Sequence, residues 1–513
     1  MLTSICYSPD GILSMANNNR LEQKLSSKKI LIVCVISVYF LLLGHKLMRL
    51  GIHADGMEYA NVARNLANGV GTFWKPYHDD IIHPIFHEHP PLVFWIQSLF
   101  FKLFGEGPYI ENFYGLIVGL VIFSCMALFW QRVRHDFQHS SLGSWWPILL
   151  MVSLPIFSYI LQINRLVNTF TIFAIIGSFF AYLSATKNKL WIIFSLITGV
   201  FIYLGFIAKG PVALFPIAIP IMAWMVMKAR LSISVISTLF AAATFAAVLS
   251  ATFYLYPDSM DFWRGFWRNQ VMLSIMSKRA AGDTHWYLVE RWAAEMAVPI
   301  IIAVVFMALT KIPFRQIHFN RPALFFILIG LSSSLPFLVS TRQHNRYIFH
   351  SYPFYILGLA FLTQNIGIKI QTILRERRKI RNVTVMLTIV CFLVALSSMV
   401  YRKDHIRKGR NEFYNDIYMK NIQLPKRITI SACPGAMIRE DWLFVDMQRF
   451  YKISVTHKMG NEYLIVDKNS ECIVQKGYQK VNHQPIMKYV LYKKSDRRLD
   501  SHLKSHAVKN HNQ

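Results

Sequence analysis

Residues 30–49 read ILIVCVISVYFLLLGHKLMR, an apolar run from Ile30 to Gly44 whose charges, Lys46 and Arg49, come only at its end. A helix rises about 1.5 Å per residue, so such a run reaches across the roughly 30 Å hydrocarbon core of a bilayer. Comparable runs recur at 112–131, 145–162, 166–185, 190–207, 211–227, 233–255, 297–312, 321–340, 347–364 and 383–401, giving about eleven candidate spans. Composition agrees: 54% of the 513 residues are apolar and 16% are charged. The predicted fold class is an all-α polytopic membrane protein with a small α/β domain after its last span.

The net charge of +28 would suggest nucleic acid in a soluble chain, but its placement excludes that partner. Lys and Arg collect in short loops on one side of the spans: Arg20 to Lys29, Arg132 and Arg134, Lys187 and Lys189, Lys228 and Arg230, Lys311 to Arg321, and Lys369 to Arg381. Such loops face the cytoplasm and meet anionic membrane lipids. Residues 1–29 are therefore read as a cytoplasmic segment leading into a retained signal anchor, and 30–401 as the membrane domain. The other side receives two long loops, 51–111 and 256–296, a C-terminal domain at 402–495, and a polar tail at 496–513. In the C-terminal domain RITISA (427–432), EYLIVDK (462–468) and MKYVLYKK (487–494) read as strands, and DWLFVDMQRFYK (441–452) as a helix. Of the six cysteines, Cys34, Cys125 and Cys391 lie in apolar runs, while Cys433 and Cys472 are candidates for one disulfide in an oxidising compartment.

The chemistry gathers on the external side. In the first loop HADGMEYANVARNLANG (53–69) reads as a helix ending at Gly69, with Asp55 and Glu58 spaced as a capping pair at its start. One of these carboxylates can serve as a general base at the membrane surface. A second helix is predicted between Pro90-Pro91 and Gly105. His83, His87 and His89, near Asp79, Asp80 and Glu88, make a divalent metal conceivable, although their spacing matches no specific motif. Arg165, Lys209, Arg342 and Arg346 border the external ends of spans. In the second loop Arg264, Arg268, Lys278, Arg279 and Arg291 are interleaved with Trp263, Trp267, Trp286 and Trp292. Cations so placed either snorkel to headgroups or hold a lipid phosphate. There is no phosphate-binding glycine loop, dinucleotide fingerprint or nucleophile elbow, which excludes the common soluble nucleotide chemistries. A non-catalytic lipid transporter is the rival class. It would place ionisable residues near mid-bilayer, and few stand there.

These pieces together resemble the large-fold membrane glycosyltransferases of the C superfamily (GT-C), within them family 39, which includes protein O-mannosyltransferases and the 4-amino-4-deoxy-L-arabinose lipid A transferases. The resemblance rests on Asp55-Gly56-Met57-Glu58-Tyr59-Ala60 with Ala63 and Asn65, on Glu88-His89-Pro90-Pro91-Leu92 with Trp95, and on Ala208-Lys209-Gly210-Pro211. Weaker support comes from Trp286-Tyr287 and from Arg346-Tyr347 ahead of Tyr352-Pro353. It implies a polyprenyl-phosphate sugar donor, a lipid or protein acceptor, no nucleotide, and an active site on the periplasmic face of a bacterial inner membrane. It assigns Asp55 as the catalytic base, with Glu58, Glu88, His89, Asn168, Lys209, Arg342, Arg346 and Tyr347 as substrate-binding positions. Two departures stand out. His89 occupies a position where the family has Lys, and Asn168 one where it has an acid.

Overall fold

The computed structural model describes residues 9–495 apart from short stretches at 138–141, 188, 273–285, 340–342, 408–409, 411–412, 420–421, 434–442, 471 and 482–486. Arg342, Lys278 and Arg279 lie outside the described residues. Among the described residues eight helices are long and apolar enough to cross a membrane: Ser27–Leu47, Ile110–Phe137, Leu166–Thr186, Trp191–Lys209, Leu231–Leu255, Tyr287–Thr310, Arg321–Leu338 and Arg378–Arg402. A bent pair, Asn345–Leu362 with Gln364–Glu376, makes nine if taken as one span. Only 11% of the Arg378–Arg402 window and 17% of the Leu231–Leu255 window are buried. The surfaces left open carry Val383, Leu387, Val394, Leu239 and Phe240. Apolar area of this extent is stable only against lipid, so the chain is a multi-pass membrane protein.

Two of the about eleven expected spans are broken by proline. The run at 145–162 becomes the short helices Trp145–Val152 and Pro155–Leu161, and the run at 211–227 becomes a 3-10 stretch, Pro211–Ala218, followed by Ile219–Met227. Proline has no N–H for the helical ladder and forces the chain to restart as a new first turn. The expected span at 297–312 is longer than its hydropathy suggested. Its helix begins at Tyr287, which moves Arg291, Trp292 and Glu295 from a loop onto a helix.

The helices are held at close range. Gly115 sits where an added Cβ would come within 2.2 Å of the Leu161 carbonyl oxygen, and Gly119, one turn on, faces the Tyr39 hydroxyl, which donates to Leu116 O at 3.1 Å. Small residues four apart are a standard means of bringing membrane helices together. At the end of Trp191–Lys209 the chain turns through Gly210, at φ 89° and ψ −154°, with the Phe266 ring 3.4 Å from where a Cβ would stand. Only glycine populates that conformation without strain. Gly210→Ala is therefore expected to cost about 1–3 kcal/mol, visible as a lower melting temperature of the detergent-purified protein.

The chain divides into two compact units. One is the helical membrane part, Met1–Met48, His87–Val93 and Asn112–Lys403. The other gathers Arg49–Phe86, Phe94–Glu111 and Asp404–Gln513. The second unit holds a five-stranded sheet of order β2-β1-β3-β5-β4 (β1 Thr429–Ala432, β2 Ser454–Thr456, β3 Tyr463–Asp467, β4 Tyr478–Lys480, β5 Tyr489–Lys494). β1 runs parallel to β2 and β3, and β5 antiparallel to β3 and β4. The helix Leu443–Tyr451 joins β1 to β2, as a parallel pair requires. Three strands fall on predicted runs. β2 and β4 were not foreseen, each having three residues and no alternation to read. Cys433 and Cys472 form a disulfide.

Candidate active site

In the second unit the first-loop helix runs Ala54–Ala67. Its N-cap is His53, not Asp55 as the capping pattern suggested. The His53 Nδ1 accepts the Asp55 backbone N–H at 3.3 Å. Asp55 is thereby the second helical residue, and its carboxylate is not consumed in capping. The Asp55 side chain is 27% exposed, with Oδ1 3.6 Å from the His53 Nδ1. Glu58, one turn on and 14% exposed, points to His83, Nε2 to Oε1 3.8 Å. The structure thus brings Asp55, Glu58, His53 and His83 to one end of one helix.

That end is held from beneath. Met57 and Ile52 pack on Val445 of the helix Leu443–Tyr451. Asn61 donates to Val445 O at 3.0 Å and its amide nitrogen lies 3.1 Å from His78 Nε2. His78 Nδ1 donates to Asp79 Oδ2 at 3.0 Å. Asp79 Oδ1 accepts the backbone N–H groups of Ile81, Ile82 and His83 at 3.0, 2.5 and 3.1 Å, shaping the turn that presents His83. Burial pushes the Asp79 carboxyl up, but the His78 hydrogen bond and field, with the N–H groups of Ile82 and His83, outweigh it and hold the group at about 2. A carboxyl lowered from 3.8 stabilises the fold above its unfolded value and loses that contribution as pH falls toward 2. Asp79→Asn is expected to cost about 2 kcal/mol near neutrality. Acid titration followed by tryptophan fluorescence should show the variant and the wild type converging near the bottom of that window.

Arg64, fully buried, reaches from the same first-loop helix to the C-terminus of Leu443–Tyr451, donating to Gln448 O at 3.0 Å and Arg449 O at 3.1 Å. The negative end of a helix favours a cation there. Burial, then the charge of Arg449, lowers the Arg64 guanidinium to about 9. Arg449, also buried, pairs with Glu111 at 2.5 Å, and Arg410 pairs with Asp446. These acids are committed to structure, and so is Asp416, which accepts the N–H groups of Met487, Lys488 and Tyr489. Asp55 and Glu58 are the two acids of the helix Ala54–Ala67, with side chains 27% and 14% exposed.

In the membrane unit Glu88 and His89 are half-buried ahead of the helix Leu92–Phe104, and His87 packs on the Phe262 ring at 5.5 Å. Lys209 ends its helix at the Gly210 turn. Asn168 is buried. Its Nδ2 donates to Ile160 O at 3.0 Å, closing the end of Pro155–Leu161, while its Oδ1 has no hydrogen-bond partner among the described residues. Arg346 and Tyr347 lie together, the guanidinium 5.9 Å from the ring centre. Arg346 lines a cavity of about 320 Å³ with Tyr159, Tyr287, Arg291, Glu295 and His344. Glu295 accepts the Ile156 N–H at 2.7 Å and the Asn345 amide at 3.1 Å, and Asn345 accepts the Tyr352 hydroxyl at 2.7 Å. Sequence reading missed Glu295 because 256–296 was taken as a loop. The four-residue spacing of Tyr287, Arg291 and Glu295 was the available sign of one helical face. No three His, Cys, Asp or Glu side chains among the described residues come together as a metal site, so the candidate metal at His83, His87 and His89 has no support in their geometry.

Comparison with known proteins adds the following. Residues 88–256 match the dolichyl-phosphate-mannose-protein mannosyltransferase family model. The crystal structure of ArnT from Cupriavidus metallidurans bound to undecaprenyl phosphate superposes with a TM-score of 0.58 at 14% identity, covering 90% of this chain and 97% of that one. The apo form of the same protein gives 0.56 at 12% identity, covering 90% and 96%. No curated protein sequence matches significantly.

Proposed function

We propose that this chain, which has the GT-C fold, is a membrane glycosyltransferase that moves a sugar from a polyprenyl-phosphate carrier to a hydroxyl on an envelope acceptor. The observation that carries the reading is Asp55, a partly exposed carboxylate released from capping by His53 and set on a helix anchored by Arg64 and Met57. The shared fold of a protein bound to undecaprenyl phosphate supports a lipid-phosphate donor of the same class.

In the proposed step the acceptor oxygen attacks the anomeric carbon while Asp55 takes its proton. The bond from that carbon to the phosphate oxygen breaks, and polyprenyl phosphate leaves with the electron pair. One displacement inverts the anomeric centre. Glu58 and His83 orient the acceptor beside the base. Lys209, Arg346 and Arg342, with Tyr347, Glu88 and His89, bind donor and leaving group, since cations aimed at a developing phosphate charge act in the transition state. Asn168 offers a hydrogen-bonding amide where an acid would have been a second base. No nucleotide enters the step.

The leading acceptor is a glycolipid such as lipid A, with the reaction on the periplasmic face of the inner membrane. The match of residues 88–256 favours a protein hydroxyl as the second reading. Mass spectrometry of envelope lipids, from cells lacking the gene and cells carrying it, tests both. A lipid heavier by one sugar only when the gene is present supports the first. Unchanged lipids with continued release of polyprenyl phosphate favour the second. Unchanged lipids and no release overturn the enzyme reading.

A further inference from the structure

A second cavity, of about 420 Å³, lies in the membrane unit and takes no part in the proposed reaction. At one end stand Lys28 and Lys29, in the first turn of the span Ser27–Leu47, with Ser144 and Trp145. From there Ile32 and Ile36 continue it along one helix, faced by Leu120 and Phe123 of Ile110–Phe137. Lys28, Ile32 and Ile36 are four apart, so they line one face for about 12 Å of helix. The groove is cationic at the end of a span and apolar toward its middle, and no carboxylate is among its lining residues.

Snorkelling lysines at the start of a span would by themselves be ordinary. Two further polar residues, Trp145 and Ser144, line the same end of the groove. The Trp145 side chain is 2% exposed, and its Nε1–H has no acceptor among the described residues. Its Cδ1 stands 3.0 Å from the point a Cβ on Gly143 would occupy, and Lys28 Cγ lies 3.5 Å from the same point, so the indole and the Lys28 stem pack around Gly143. Ser144 is the N-cap of Trp145–Val152 but makes no capping bond. Its Oγ instead accepts from Gln131 at 2.9 Å, which leaves the hydroxyl proton to donate. Lys28, Lys29, Ser144 and Trp145 thus line the same end of the groove, beside the first turn of Trp145–Val152.

We infer that this groove binds an anionic phospholipid, its phosphate held by Lys28, Lys29, Ser144 and Trp145 and one acyl chain lying along Ile32, Ile36 and Phe123. A zwitterionic headgroup would bring its own cation against the lysines. A free phosphate would leave two turns of apolar groove uncovered.

The test is native mass spectrometry of the full-length protein, delipidated in mild detergent and offered phosphatidylglycerol or phosphatidylcholine with identical chains. Wild type is expected to retain phosphatidylglycerol selectively. The Lys28→Ala/Lys29→Ala variant should weaken that retention roughly 30-fold and Trp145→Phe about tenfold, with phosphatidylcholine unaffected. Ile36→Trp, which fills the groove without changing charge, should exclude both lipids and decides the matter if the lysine variant does not fold. Equal retention of the two lipids by wild type, or retention of phosphatidylglycerol unchanged in Trp145→Phe and Ile36→Trp, overturns the inference. So does protection by glycerol phosphate equal to that by the lipid.

Discussion

Asp55→Asn is expected to lower sugar transfer by about 10²–10⁴-fold, the range over which a positioned general base contributes. The variant keeps the size of the side chain and the His53 cap, because the cap is a bond from the backbone N–H of residue 55 to His53 Nδ1. Its folding should therefore change by less than about 1 kcal/mol, the loss of one charge at a helix start. The measurement is release of polyprenyl phosphate by purified protein, alongside a thermal melt and donor retention by native mass spectrometry. Lost turnover with retained donor and an unchanged melt assigns Asp55 to the chemical step. Turnover near wild type removes it from the mechanism.

The largest effect on stability is expected at Arg449. Its guanidinium is buried, pairs with Glu111 at 2.5 Å, donates to Glu106 O and Gly107 O, and lies 5.0 Å from the Phe101 ring centre. Arg449→Met leaves the Glu111 carboxylate buried without its cation, which costs about 3–5 kcal/mol. Hydrogen exchange should show this as lost protection of Leu443–Tyr451 and its neighbouring strands. Adding Glu111→Leu should recover much of the loss, because two apolar side chains leave no stranded charge. A double variant as unstable as the single one would mean that the contacts to Glu106 and Gly107, not the ion pair, carry the cost.

Much of this was legible in the residues. Apolar runs located the spans because lipid admits no other backbone solution. The glycines at 69 and 105 marked helix ends, and both have the positive φ of that role. The first-loop helix was found but its cap was misjudged, since a histidine nitrogen acting as cap acceptor has no sequence pattern like Asp55 with Glu58. The proline-broken runs looked continuous because hydropathy does not register a missing N–H. The anchoring of the site was illegible for a different reason. Arg64 and Gln448 are 384 residues apart, and no local pattern reports a contact of that separation.

That separation has a consequence for how the protein is made. The helix carrying Asp55 emerges early, yet Val445, Gln448 and Arg449, which fix it, come from near the end of the chain. At about 5–20 residues per second, roughly 20–80 s pass between the two events. For that interval Arg64 and Met57 lack their partners from the helix Leu443–Tyr451, while span after span enters the bilayer. The helix that carries Asp55 gains these contacts only when synthesis is nearly finished, so premature termination before Val445 yields a membrane protein with its helices but a first loop without them. The C-terminal segment is the clasp of the site, and its removal should unfold the first loop instead of merely altering the choice of acceptor.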